Sequence, residues 1–484
     1  MDFSATAVKS DTILTDDLTQ ALKDALRPLE NVSADEKDWR VGSDHQILDT
    51  IDPSLWPLVY GKSRFVPDRQ IGIKNALDYS GTGATILEPL IIEIARVNHS
   101  RNFQWLPTDV SITTDGKAFI SSYINNLHPV RHTQLYPIIE KLIEKALPAW
   151  DLLYYWPSKQ SLLRIETMEA EWNCTTEDIC QDYWKCSPSN RPLDAGELDR
   201  EDHPDEEDPY DLKIIMSPRR QKDLEWIRQT HMPVMPEPSI EELESSFPSP
   251  EARSSGFFDS ASSIQVIVKA FNIHLTPDSP DYSGSSWNID GMLNEHICAT
   301  ALYYYDSDNV TENKMDFRTK ADEDNLKHLL KYEPGEHEPI QRIFAINDKL
   351  TTVQTIGSVL TPQGRALFYP NIYQHRSSPF KLSDTTRPGH CKVLALYLVD
   401  PKVPIISTAN VGPQQRDWWE ETTKVGSELL SKLPAELQKM VLEDSDPLMD
   451  LEEAKEVRAK LVKEWESRNS DMNAGIEYER YGFY

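Results

Sequence analysis

Residues Ser285–Asp306 read "SSWNIDGMLNEHICATALYYYD". From His296 onward the stretch is rich in β-branched and aromatic residues and free of Gly and Pro, the composition of a strand. Ahead of it stand two polar residues, Asn288 and Asp290, two positions apart. Side chains two apart on an extended chain point to the same face, so these two can aim at one point. The alternative is an Asx-rich turn feeding the strand, because Asn and Asp-Gly both favour turns.

Working outward, the same strand character recurs in "SIQVIVKAFNIHLTP", "PIQRIFAIN", "TTVQTIGSVLTP", "GRALFYP" and "HCKVLALYLVDP". These runs are short and bounded by Gly, Pro, Asn or Asp. Several short strands with few helices between them indicate a sandwich or jelly roll. The expected fold is α+β, with a double-stranded β-helix (jelly-roll) core over 256–410. A mostly helical region with one hairpin is expected over 1–164, and a C-terminal helical segment over 411–484. In the first region "DVSITTDGKAFISSYI" places Asp115-Gly116 between two alternating runs, a two-residue hairpin signal. Leu135, Ile138, Ile139, Leu142, Ile143 and Ala146 form one apolar helical stripe. Ile86 to Val97 is apolar almost all round and reads as a buried helix. Residues 165–255 change character: "GELDREDHPDEEDPYD" is acidic, and "MPVMPEPSIEELESSFPSP" is Pro-rich. Neither buries enough surface to offset chain entropy, so this segment reads as a partly disordered insertion.

The chain has 484 residues, 39% of them hydrophobic, and a formal net charge of −29. Such a surface repels phosphate backbones and anionic lipid, which argues against nucleic-acid and membrane partners. No signal-peptide pattern opens the sequence and no apolar run is long enough to span a bilayer, so a cytoplasmic protein is expected. Five cysteines do not make a disulfide framework in a chain this long. Cys174, Cys180 and Cys186 are evenly spaced, but more widely than a zinc knuckle requires.

Chemistry converges on the strand-rich block. Asn288 and Asp290 need a third ligand from a distant strand, and "GRALFYPNIYQHRSSPF" offers His375 just past one. Two His and one carboxylate on one side of Fe(II) leave three positions for O₂ and a chelating cosubstrate. A cation must then hold the cosubstrate's far carboxylate. Lys392, opening an apolar strand, and Arg387, in the preceding loop, are the candidates; both also read as ordinary surface charges. Tyr303 and Tyr305 share one strand face, where they either pack the core or touch the cosubstrate. Trp287 and Phe368 read as pocket wall or core, and Trp418 and Trp419 as a cover over the barrel. Other templates are missing: there is no G-x-S-x-G, P-loop, G-x-G-x-x-G after a strand, or H-E-x-x-H.

The basic residue entering an apolar strand after "GRALFYPNIYQH" resembles the second half of the Fe(II)/2-oxoglutarate oxygenase motif. "SYINNLHP", "GMLNEHICATALYYYD", "GRALFYPN", "RPGH" and "STANVGPQQRDWW" resemble more narrowly the fungal family catalogued as domain of unknown function 4246, from about Trp39 to Trp419. Carried over, the resemblance implies metal ligands at Asn288, Asp290 and His375, with Fe(II) and 2-oxoglutarate as cofactors. It also implies a small-molecule substrate oxidised in a fungal biosynthetic setting. Relatives read W-H-x-E or W-H-x-D where this chain reads Trp287-Asn288-Ile289-Asp290. An amide oxygen is a weaker donor than an imidazole, and His296 or His274 are substitutes to consider. Three functions remain open: an oxygenase, a binding scaffold with a decayed metal site, or the same scaffold retuned to a non-oxidative reaction.

Overall fold

The computed structural model describes residues 7–34, 36–67, 70–87, 99–159, 172–180, 190–197, 217–233, 258, 262–321, 341, 345–347, 350–426, 434 and 448–478. Its centre is a mixed arrangement of helices and antiparallel sheet. The strands are β1 (Val8–Ser10), β2 (Ile47–Ile51), β3 (Thr108–Ile112), β4 (Ala118–Ile120), β5 (Ser263–Leu275), β6 (Ile297–Asp308), β7 (Lys314–Lys320), β8 (Val353–Leu360), β9 (Ala366–Pro370), β10 (Gln374–Ser377) and β11 (Gly389–Val399). An eight-stranded sheet runs β1-β9-β6-β11-β5-β3-β4, with β2 also paired to β5. A three-stranded sheet runs β8-β7-β10.

The phase of each central strand decides where its side chains go. On β6, Ala301, Tyr303 and Tyr305 join Leu394, Leu396 and Leu398 of β11 on one face. That face is covered by helix α1 (Asp16–Glu30) and helix α2 (Leu135–Lys159). Leu302 and Tyr304, with Val393, Ala395 and Tyr397, lie on the other face, against Met315 and Phe317 of the small sheet. Both faces are buried, which is why "VLALYLV" reads as a continuous apolar run rather than an alternating one. Fully burying one such Leu contributes about 1.5–3 kcal/mol.

α1 begins at Thr15, whose hydroxyl accepts from the Leu18 amide, and Asp16 and Asp17 in its first turn suit the helix dipole. On α2 the stripe foreseen from spacing is buried at Leu135, Ile139, Leu142, Ile143 and Ala146. Helix α3 (Arg416–Gly426) follows the last strand, and helix α4 (Leu451–Tyr478) closes the described chain. α4 reaches the small sheet: Asn469 and Asn473 donate to the Trp287 carbonyl at 2.8 and 3.0 Å.

Two expectations about the N-terminal region change. The region is not mostly helical among the described residues; it lays β1, β2, β3 and β4 onto the large sheet, because pairing with long central strands satisfies backbone groups that short segments cannot satisfy alone. The hairpin at Asp115-Gly116 forms, with Ile112 opposite Ala118. Its turn is longer than two residues: the Thr113 amide donates to Lys117 O at 2.9 Å, and Gly116 takes φ +76°. This is the three-residue loop with Gly in the left-handed position. The expected Ile86–Val97 helix lies outside the described residues beyond Leu87, as do most of "PIQRIFAIN", the acidic and Pro-rich runs of the insertion, and Cys186. No described helix is long and apolar enough to cross a membrane.

Candidate functional site

Ser285 to Asn288 extends the small sheet along β10. The Ser285 amide donates to Ser377 O at 3.0 Å, the Asn288 amide to His375 O at 3.1 Å, and the His375 amide to Asn288 O at 2.9 Å. Asn288 and His375 are therefore direct cross-strand partners. Such neighbours carry side chains on the same face, and His375 projects with Phe317 toward the large sheet.

Asp290 follows where the chain leaves the small sheet. Its backbone is clamped by the Asn371 side chain, which accepts from the Asp290 amide at 2.8 Å and donates to the Asp290 carbonyl at 2.8 Å. Gly291 takes φ +68°, and a Cβ there would stand 2.8 Å from Ile297 Cδ1, so the turn needs glycine. Glu295 holds the following loop, accepting from the Trp105 amide at 2.9 Å and the Met292 amide at 2.6 Å. Burial pushes its carboxyl up to about 7.

The Asp290 carboxylate is oriented from the large sheet. Thr300 donates to Oδ2 at 2.8 Å and Tyr369 to the same oxygen at 3.3 Å. Burial, and then the neighbouring Asp290 charge, raise the Tyr369 phenol well above its ordinary pKa, so it stays a donor. The free oxygen, Oδ1, lies 3.7 Å from His375 Nε2. The Tyr369 ring packs against the imidazole with centroids 4.8 Å apart.

The donor set fits a metal ion. Asn288 Oδ1 is buried without a hydrogen-bond partner, which costs about 1–3 kcal/mol unless something else meets it. The His375 nitrogen that faces Asp290 is Nε2, while the ring's other nitrogen, Nδ1, is buried without a partner. Metal–ligand bonds of about 2–2.2 Å at 90–120° put neighbouring donors about 3–3.6 Å apart, close to the Asp290–His375 separation. One carboxylate, one imidazole and one amide oxygen suit a borderline divalent ion such as Fe(II).

The other residues singled out from the sequence are turned elsewhere. Lys392 shares the phase of Leu394 on β11 and faces α1, where Nζ sits 2.7 Å from Glu30 Oε2 and 3.4 Å from Asp306 Oδ2. Arg387 is exposed and pairs with Asp308 at 2.6 Å. Neither cation faces Asp290. Tyr303 is hydrogen-bonded to Thr19 at 2.6 Å and Tyr305 to Asn272 at 3.0 Å, both on the helix side. Phe368 packs in that same helix-side core. Trp287, one residue out of phase with Asn288, stacks between the guanidinium groups of Arg318 and Arg376, 4.7 and 4.5 Å from its ring centroid. For the strand residues one cause applies: a one-residue change of phase flips a side chain to the opposite face. Arg387 lies in the loop before β11 and points to solvent. The substitute donors are also remote in orientation. His296 adopts a left-handed conformation (φ 46°) and senses Asp400 and His99, while His274 packs against Trp39 and His390.

Thr300, Tyr369, Asn371 and Tyr397 were not foreseen as site residues. The signal was present for two of them: Thr300 is two before Leu302 and four before Tyr304 on the inner face, and Tyr369 is two after Leu367. Among the described strand residues the basic side chain on this inner face is Lys269, which is paired across the sheet with Ala395. Its Nζ lies 5.8 Å from the Trp105 ring, which packs 5.9 Å from Tyr397, and 3.7 Å from Asp52 Oδ1. Burial first, and then the Asp290, Asp52 and Asp49 carboxylates, raise the Tyr397 phenol, while Arg40 opposes them.

Residues 1–422 match the family described as "Protein of unknown function (DUF4246)", and the chain belongs to that family. No curated protein matches the sequence. Among solved structures, the chain is similar to the Fe(II)/(alpha)ketoglutarate-dependent dioxygenase TqaL, at 12% identity over 31% of this chain and 47% of that one, TM-score 0.19. It is also similar to IDO from Bacillus thuringiensis, at 8% identity over 39% of this chain and 59% of that one, TM-score 0.19. EvdO2 from Micromonospora carbonacea var. aurantiaca, complexed with 2-oxoglutarate, gives 11% identity over 28% of this chain and 52% of that one, TM-score 0.15. The matched part spans about half the length of these structures.

Proposed function

We propose that this member of the DUF4246 family is an Fe(II)- and 2-oxoglutarate-dependent oxygenase-like protein, built on a double-stranded β-helix, that oxidises a small organic molecule. One observation carries the reading: two remote pieces of chain bring a carboxylate and an imidazole to 3.7 Å, beside a buried amide oxygen with no partner. Asp290 and His375 would hold the iron, with Asn288 as a weak third donor. Bound there with 2-oxoglutarate, iron would supply oxidative chemistry with O₂.

The protein's own groups have definable tasks. Thr300 and Tyr369 occupy Asp290 Oδ2, which leaves Oδ1 as the donor toward His375. The Asn371 clamp fixes the Asp290 backbone. Trp105 and Tyr397 pack 5.9 Å apart beside Lys269, and the Asp290 charge reaches Tyr397, so the two rings would offer a bound molecule an apolar surface. Lys392 and Arg387 do not fit the anchoring of a cosubstrate, because Lys392 faces α1 and Arg387 sits in an exposed loop, neither on the Asp290 face. Lys269, on the inner face although it also pairs with Asp52 at 3.7 Å, is the better candidate. It lies two residues along β5 from Ile267, which pairs with Tyr397, which pairs in turn with Thr300. Two strand spacings and two residues put its Cα about 12 Å from that of Thr300, within reach of a five-carbon diacid plus a lysine side chain.

Asn288 also favours a second reading, a binding scaffold whose metal site has weakened. The test is anaerobic loading with Fe(II) followed by labelled 2-oxoglutarate and O₂. Succinate release that disappears in Asp290→Ala and His375→Ala supports the oxygenase. Neither stoichiometric iron nor succinate, with candidate substrates present, leaves the scaffold.

A further inference from the structure

A second cluster of ligating side chains lies outside the sheets, in the part of the chain that interrupts them. A short strand, Trp172–Cys174, pairs antiparallel with another, His231–Pro233, and His231 stands directly opposite Cys174. Cys180 ends a one-turn helix, Glu177–Cys180, and points back at the pair. The ligand atoms of Cys174, Cys180 and His231 all lie within 4.8 Å of one another. Cys180 Sγ is 3.4 Å from His231 Nε2. Cys180 and His231 are buried, at 1% and 2% exposure, and no disulfide joins Cys174 to Cys180.

The surroundings fix the imidazole for ligation. The Thr230 hydroxyl gives its proton to the Trp226 carbonyl at 2.6 Å. Its oxygen, 2.9 Å from His231 Nδ1, must therefore accept, so Nδ1 carries the ring proton. Nε2 is left with its lone pair aimed at the thiols, the tautomer a metal-binding His adopts when its other nitrogen is hydrogen-bonded. Trp226 packs edge-on against the ring, with centroids 5.4 Å apart. The Thr176 amide donates to Cys174 Sγ at 3.4 Å, a contact that favours the thiolate over the thiol.

Hydrogen bonds join the cluster piecewise, Cys180 to His231 and the Thr176 hydroxyl to both sulfurs at 3.5 and 3.7 Å, and together they bring two sulfurs and one imidazole nitrogen into one space. The composition adds a reason. This segment supplies few buried apolar side chains, chiefly Ile227 and Cys180 among the described residues, and pieces too small for a core of their own are commonly held by a metal.

We propose that Cys174, Cys180 and His231 bind one soft divalent transition-metal ion, zinc in the first place, independently of the Asp290–His375 site. Two thiolates and one imidazole form a three-ligand zinc set, and the fourth position is open to water or an external donor beside half-buried Cys174. With bonds of about 2.0–2.3 Å, tetrahedral donors stand about 3.3–3.8 Å apart, so closing on the ion needs a contraction of about 1 Å at most. Binding releases the two thiol protons to solvent, and no electron is transferred. The ion then ties the Glu177–Cys180 turn and the His231 strand together across a chain separation of 51 residues.

The experiment uses the full chain carrying Asp290→Ala, so that loss of the core site cannot be confused with loss of this one. Zinc is titrated against a chromogenic chelator, and Co(II) is substituted to read thiolate charge-transfer bands. One equivalent is expected to bind with those bands present, and His231→Gln or Cys180→Ser is expected to weaken binding at least about a hundredfold. Should the variants misfold, alkylation of Cys174 and Cys180 in the unmutated segment, with and without zinc, gives a separate readout: zinc must slow both. Zinc held no tighter than by the Cys174→Ser/Cys180→Ser double variant, a cobalt spectrum without thiolate bands, or equal alkylation with and without zinc each overturns the proposal.

Discussion

Asn288→His puts the strongest demand on the reading of the core site. Asn288 Oδ1 is buried with no hydrogen-bond partner, while its backbone is locked to His375 by two hydrogen bonds of 2.9 and 3.1 Å. The side chain is thus aimed by the sheet rather than by its own contacts, and an imidazole at the same Cα inherits that direction. Loss of an outer-shell partner alone typically changes metal affinity about 10–100-fold. Replacing a weak amide donor by an imidazole should exceed the lower bound, so Fe(II) should bind at least about tenfold tighter, about 1.4 kcal/mol. The assay is an anaerobic competition titration with a chromogenic chelator, with the iron-induced rise in Tm as a second readout, because ligand binding to the native state stabilises it. Succinate formation on the same samples separates an attenuated oxygenase, which should gain turnover, from a scaffold retuned to other chemistry, which should lose its native activity. A folded Asn288→His protein that binds iron no tighter than the parent refutes the shared-ion geometry.

The remaining expectations test single contacts. Thr300→Val removes the 2.8 Å bond to Asp290 Oδ2 and should lower iron affinity about 10–100-fold, with little change in Tm. Lys392→Met removes the cation 2.7 Å from the largely buried Glu30, while Asp306 keeps Lys23 and His390; it should cost about 1–3 kcal/mol in denaturant unfolding yet leave iron affinity unchanged. A role for Lys392 as cosubstrate anchor would reverse that pattern. Lys269→Met should raise the KM for 2-oxoglutarate with iron binding intact, and an unchanged KM removes Lys269 from the anchoring role. Glu295 is pushed up to about 7 by burial, so between about pH 4.5 and 7 the folded state holds a proton that the unfolded state has released. Stability should therefore fall as pH rises through that window, by up to about 3 kcal/mol, and Glu295→Gln should flatten the slope. A parent protein whose unfolding free energy does not decline over that range contradicts the burial argument.

The sequence by itself determined much of the architecture. Period-two runs such as "SIQVIVKAFNIHL" and the stripe from Leu135 to Ala146 report local physics, because a strand or helix exposes its pattern without reference to the rest of the chain. Asn288 and Asp290, two positions apart, are singled out by the same local rule. His375 was found through the phrase around it rather than through any local rule.

Tertiary structure alone decided which face of each strand meets the site. Lys392, Tyr303, Tyr305, Phe368 and Trp287 carry plausible chemistry for a cosubstrate pocket, yet each points away from Asp290, because facing is set by pairing partner and register. A register shift between Tyr304 and Asp306 changes the phase again within one strand, and no composition rule marks it. The same holds for the second cluster, where folding sets His231 opposite Cys174 from a distant part of the chain. Contacts between residues far apart in the chain depend on the summed packing of whole sheets, and that information is not local to any stretch of sequence.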